Sequence, residues 1–84
     1  MKKFLAKITI TLRKGILDVQ GKAVENALHQ IGFQQIENVR IGKYVELLTE
    51  AENKELAYNS VDEACRKLIA NPIIEDYIIE IIEN

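Results

Sequence analysis

The sequence predicts an α+β domain: a two-layer sandwich of β-α-β-α-β order, with a mainly antiparallel sheet and two helices on one face. Three observations predict it. Residues 3–12 alternate with a period of two. Two later stretches carry apolar residues at helical spacing behind capping residues. The chain closes on a β-branched run, "IIEDYIIEIIEN", that returns to period two. At 84 residues there is room for one domain, spanning 1–84.

In the first strand, Phe4, Ala6, Ile8, Ile10 and Leu12 point one way, and Lys3, Leu5, Lys7, Thr9 and Thr11 the other. That pattern buries one face. Asp18 is a good N-cap, because its carboxylate can accept from the free N–H groups of a first helical turn. Ala23, Val24, Ala27, Leu28 and Ile31 then form one apolar stripe, expected to lie against the sheet. Gly32 suits a left-handed exit, so this helix spans about 19–31.

Next, Val39, Ile41, Val45 and Leu47 share parity, with Tyr44, Glu46 and Leu48 opposite. The reading is one long middle strand over 36–49, bent or bulged near Gly42; two strands joined by a turn is the alternative. "SVDE", Ser60 to Glu63, matches a capping box, and Val61, Ala64, Cys65, Leu68 and Ile69 form a second stripe. Leu56 and Ala57 allow an earlier start. Asn71 and Pro72 end this helix, Asn by tolerating a left-handed turn and Pro by lacking the N–H that would continue the ladder.

In the final strand Tyr77, Ile79 and Ile81 point one way, and Ile78, Glu80 and Ile82 the other. Both faces are therefore apolar near the end. Two helices on one face cannot cover the other. Leaving two isoleucines wet forfeits roughly 3–6 kcal/mol, a large amount for a small domain. Self-association as a homodimer or homotetramer is expected, through Tyr77, Ile78, Ile79, Ile81 and Ile82.

Composition narrows the function classes. Hydrophobic residues make up 48% and charged residues 29%, which excludes a disordered chain. No apolar run approaches the ~18 residues of a membrane span. "MKKFLAKITITLRKG" opens with lysines, but polar residues interrupt it too often for a signal peptide. The single cysteine rules out an internal disulfide framework and fits a cytoplasmic location. Net charge is −2 but uneven. Residues 1–22 carry six basic side chains against one acid, net +5, and residues 23–84 carry five against twelve, net −7. With no basic run and no aromatic RNA-binding motif, nucleic acid is not an expected partner.

Candidate chemistry is sparse. Gly15, Gly21 and Lys22 suggest a phosphate loop, but five residues separate the glycines and Ala23 stands where a hydroxyl should bind magnesium. A strand-to-helix turn with a capped helix is the better reading. His29 suits the last turn of its helix as a solvated or boundary residue. Cys65 lies within the second stripe as a small buried hydrophobe. Glu75-Asp76 and Asp62-Glu63 read as solvated faces, and the tyrosines as packing or interface anchors. No metal, cofactor or catalytic residue is expected in this chain.

Three segments, "LRKGILDVQGKAVENALHQIGF", "VRIGKYVEL" and "IANPIIEDYIIEI", in that order and spacing, resemble the PurS family, small subunits of formylglycinamidine ribonucleotide synthase. Val19 stands where that family often has proline, which suits a first helical position. The resemblance implies a two-layer fold that associates as dimers or higher. It implies a non-catalytic subunit that bridges a large synthetase (PurL) and a glutaminase (PurQ) in purine biosynthesis. That complex is an ATP-dependent carbon–nitrogen ligase with glutamine as amido donor, with ATP and magnesium held by the synthetase. The small subunit would permit assembly and assist ammonia transfer. On that footing Arg13, Lys14, Gly15, Asp18, Gln20, Gly21 and Lys22 are expected to form a rigid basic turn that docks a partner. Arg40, Gly42 and Lys43 join it if the middle strand lies beside the first. The competing reading gives the glycines turn geometry only and leaves the lysines solvated. An oligomeric small-ligand regulatory module is the alternative function.

Overall fold

The chain begins and ends in the same sheet, so its first and last strands are neighbours. The structure is a computed structural model that describes residues 1–84. Its elements are β1 (Lys2–Leu12), α1 (Val19–Gln30), β2 (Lys43–Ala51), α2 (Lys54–Ala64) and β3 (Glu75–Glu83). The strand order is β2-β1-β3, and both outer strands run antiparallel to β1. This is the α+β, β-α-β-α-β arrangement that the alternation and the two stripes predict.

Register follows from the buried parity of β1. Ala6 lies opposite Leu47 and Ile81, and Ile8 opposite Val45 and Ile79. A slip of one residue would send these side chains to the wrong face. α2 covers this inner face with Ala57 and Val61, and Cys65, just past its end, continues the row at the same four-residue spacing. Phe4, Ile8 and Ile10 are almost wholly buried beneath it. Each contributes about 1.5–3 kcal/mol by leaving water.

The start of α2 differs from the capping-box expectation. Asn53, not Ser60, caps it, and its Oδ1 accepts from the Leu56 N–H at 2.9 Å. Starting earlier adds Ala57 to the face that meets the sheet. The helix then passes into one π-helical turn, Cys65–Ile69, closed by the Ala70 N–H donating to the Cys65 carbonyl at 2.9 Å. Asn71 does not adopt a left-handed backbone. Its side-chain oxygen instead accepts from the Ile73 N–H at 3.1 Å and shapes the turn into β3.

The middle strand is shorter at its start than expected: β2 begins at Lys43, and residues 37–42 form no regular structure. The glycine marks a close backbone approach. A Cβ on Gly42 would lie 2.4 Å from the Ile10 carbonyl oxygen. At its far end β2 runs on through Ala51, a core residue, so the polar connection is only two residues long.

The larger difference concerns α1. Its extent matches the expected helix, and Gly32 exits it at φ +105°. It does not lie on the sheet, however: no α1 residue comes within 8 Å of a strand, Cα to Cα. It extends beyond the ends of β1 and β2, packed against the 33–42 segment. The chain therefore measures 52 × 26 × 14 Å, with a radius of gyration of 16.5 Å. A compact chain of this length has roughly 12 Å.

Candidate docking surface

The turn between β1 and α1 is built around one carboxylate. Asp18 is the N-cap of α1, and its Oδ1 accepts from the Gly21 N–H at 2.8 Å. Its Oδ2 accepts from the Ile41 N–H at 2.7 Å, across the chain. Those two backbone donors, with the Arg40 guanidinium beside them, hold the Asp18 carboxyl below the usual carboxylate range. Val19 follows as the first helical residue.

Gly21 is the only buried residue of α1. A Cβ there would lie 2.2 Å from the Val39 carbonyl oxygen, so the helix can approach the 38–41 segment only through glycine. Glu25, one turn on, accepts from the Val39 N–H at 3.3 Å, which lowers its pKa. His29 Nε2 lies 2.6 Å from the Ile36 carbonyl oxygen and must donate to it. Gly15 takes φ +92° in open space, a conformation that strains any other residue.

The ten residues expected to dock a partner are gathered around two adjoining hollows. Arg13, Lys14, Gly15, Asp18, Lys22 and Arg40 line a groove of about 520 Å³. Gln20, Gly42 and Lys43 line a smaller one of about 170 Å³, which shares Asp18. Gly21 lies beneath the turn. The condition placed on Arg40, Gly42 and Lys43 is met, because β2 pairs with β1.

The cations differ in their freedom. Arg13 pairs with Asp76 at 3.3 Å and donates to the Pro72 carbonyl. Lys43 pairs with Glu75 at 3.3 Å. Glu75 also accepts from the Asn71 N–H, the main reason its pKa is lowered. Arg40 donates to the Leu12 carbonyl. Lys22, itself in solvent, pairs at 3.7 Å with the largely shielded Glu25, and Lys14 has no ion-pair partner. Of these, Arg13–Asp76 is exposed on both sides and contributes little to stability. The surface presents the exposed cations Lys14 and Lys22 over a turn whose backbone is held by Asp18.

Sequence reasoning missed Glu25, Asn38, Asp76 and Glu75 as members of this surface. Asn38 takes φ +60°, and an asparagine between two apolar-alternating stretches was the available signal. The two acids come from β3 and were legible only once β3 is placed beside β1.

The residues assigned to self-association divide by face. Tyr77, Ile79 and Ile81 point inward, with Ile81 only 4% exposed, so they are core residues and not a ready outer surface. The Tyr77 hydroxyl donates to Asp62 at 2.6 Å, and this bond, with burial, pushes its pKa up to about 12. Ile78 and Ile82 point outward and are 73% and 37% exposed. Cys65 is fully buried, and desolvation raises its pKa, as suits a packing residue.

Comparison with known proteins gives one consistent result. Residues 5–83 match the family described as PurS, phosphoribosylformylglycinamidine (FGAM) synthase. The PurS subunit of Bacillus subtilis is 42% identical over 80 residues, covering 95% of this chain and 94% of that protein. The Methanocaldococcus jannaschii subunit is 37% identical over 93% of this chain and 94% of that protein. A chain in the structure of PurLQS from Thermotoga maritima superposes with a TM-score of 0.89 at 34% identity, covering 98% of this chain and 100% of that one. These matches do not favour the small-ligand regulatory module. With the family match spanning residues 5–83 and a relative 42% identical over 95% of its length, the chain belongs to the PurS family of phosphoribosylformylglycinamidine synthase subunits.

Proposed function

We propose that this chain is the non-catalytic small subunit that holds a synthetase and a glutaminase together, so that ammonia passes between them without escaping to water. The observation that carries this reading is its match, over 98% of its length, to a chain of the Thermotoga maritima PurLQS structure. The partners are a PurL-type synthetase, which would bind ATP and magnesium, and a PurQ-type glutaminase. The chain acts in the cytoplasm as a homodimer or homotetramer. No helix is long and apolar enough to cross a membrane.

The basic turn is the docking element. Asp18 and Gly21 hold its backbone in one shape, so little freedom is lost on binding. Lys14 and Lys22 supply charge that steers and orients an acidic partner. The substitutions Lys14→Glu and Lys22→Glu together should weaken assembly with the synthetase at least tenfold at physiological salt, with the melting temperature within a few degrees of the parent. Binding by calorimetry or co-purification checks this. Unchanged assembly of the double variant would remove the turn from the docking role.

A further inference from the structure

Both outer strands of the sheet have a free edge, and the two edges differ. The pairing fixes which backbone groups face outward. The Arg13 N–H donates to the Ile74 carbonyl, and the Asn84 N–H to the Lys3 carbonyl, one bond at each end of the β1–β3 ladder. In an antiparallel pair such bonded positions recur at every second residue, so Asp76, Ile78, Glu80 and Ile82 turn their backbone groups to β1. Tyr77, Ile79, Ile81 and Glu83 turn theirs outward, and none of these N–H and carbonyl groups has a partner. By the same counting Tyr44, Glu46, Leu48 and Glu50 face outward on β2.

Only the β3 edge runs beside an apolar cleft. That cleft, about 820 Å³, lies between the start of α2 and the end of β3, and Lys54, Glu55, Tyr58, Ile79, Ile81 and Glu83 line it. The hollow at the β2 edge is about 260 Å³ and has one apolar residue, Leu48. Exposed edges are usually blunted by proline, lysine or a bulge. β3 has no proline and no lysine, and its register with β1 is unbroken.

We infer that the free edge of β3 takes a fourth strand from another protein. The strand is an extended segment along Tyr77–Glu83, with apolar side chains in the cleft beside Tyr58 and basic side chains at alternate positions. It occupies a surface separate from the basic turn and does not rest on the function proposed above. Main-chain bonds to the edge give such strand addition its affinity, and the alternate side chains give it specificity.

Charge selects the occupant. β3 carries Glu75, Asp76, Glu80 and Glu83 and no basic residue. Around the cleft, Glu55, Glu80 and Glu83 outnumber Lys54. The strand that β3 already accepts on its other side, β1, carries Lys2, Lys3 and Lys7 and no acid, with Lys7 opposite Glu80. A second copy of β3 fits poorly. In an antiparallel pairing the outward residues must meet one another. The central registers then set Glu75 against Glu83, Glu80 against Asp76, or Glu80 against itself. Like charges directly opposite are destabilising.

The test uses the full chain and a capped peptide of alternating valine and lysine, nine residues long to match β3. Valines that enter the cleft are the residues whose backbone groups meet the β3 edge. One peptide is therefore N-methylated at its lysines, which blocks its far edge and leaves the pairing edge intact. The other is N-methylated at its valines, which removes the donors to β3. Binding is read by nuclear magnetic resonance, and protection by amide hydrogen exchange. The lysine-methylated peptide should bind at least tenfold more tightly than the valine-methylated one, and should slow exchange at Tyr77, Ile79, Ile81 and Glu83. Glu55→Gln, a change at an exposed position on α2, should weaken that binding roughly threefold with an unchanged circular-dichroism spectrum. Equal binding of the two peptides, no binding at millimolar concentration, or protection at Tyr44, Glu46, Leu48 and Glu50 instead would overturn the inference. So would protection of the four β3 amides in the chain alone as its concentration rises, because a second copy would then fill the edge.

Discussion

Asp18 holds two segments with one carboxylate. It satisfies a free amide of the first turn of α1 and an amide 23 positions away at Ile41. Because these bonds favour the charged form, its folded pKa lies below its unfolded value, about 3.9. The stabilisation is therefore full above the unfolded value and lost as pH falls through the folded one. Glu25 and Glu75 behave alike. The substitution Asp18→Asn should lower the melting temperature by several degrees at pH 7. The gap to the parent should begin to narrow as pH falls below about 4 and close only below the lowered folded pKa, where both carry a neutral side chain. Scanning calorimetry across pH checks this, and a gap that stays constant would show that the charge is not what matters. The cap itself was legible, because aspartate before an apolar stripe is a local signal. The second bond was not, since nothing local announces a partner 23 residues away.

Among elements, α2 separates a motif from its context. "SVDE" fits a capping box, yet the helix begins at Lys54 behind Asn53. Propensity for a cap at Ser60 lost to burial, because the earlier start brings Ala57 onto the sheet beside Val61 and Cys65. Asn53→Ala should cost about 1 kcal/mol of stability, as caps generally do. Ser60→Ala, at an exposed position within the helix, should stay within about 0.5 kcal/mol. Urea titration of the two variants distinguishes them, and the reverse order would restore the capping box. β1 was legible almost to the residue, because its alternation is strict, and β3 was legible as a strand from its β-branched run. β2 was not: Val39 and Ile41 continue its parity, but Gly42 brings the backbone against Ile10 and the ladder begins only after it.

At the scale of the whole molecule, one face of the sheet is left uncovered. The sequence shows a last strand greasy on both sides, and the structure leaves its outer side to solvent with Ile78 exposed. What periodicity could not show is that α1 leaves the sheet. A stripe announces that a helix has an apolar side and says nothing about which surface covers it. An elongated chain with an uncovered face and a basic turn held by backbone hydrogen bonds is the shape on which the proposed bridging role rests.

The most direct measurement is synthesis of the amidine product by purified synthetase and glutaminase, with and without this chain, using glutamine as the nitrogen donor. The account predicts turnover that rises at least tenfold when the chain is added and saturates at a fixed ratio of subunits. Equal turnover without the chain would contradict it.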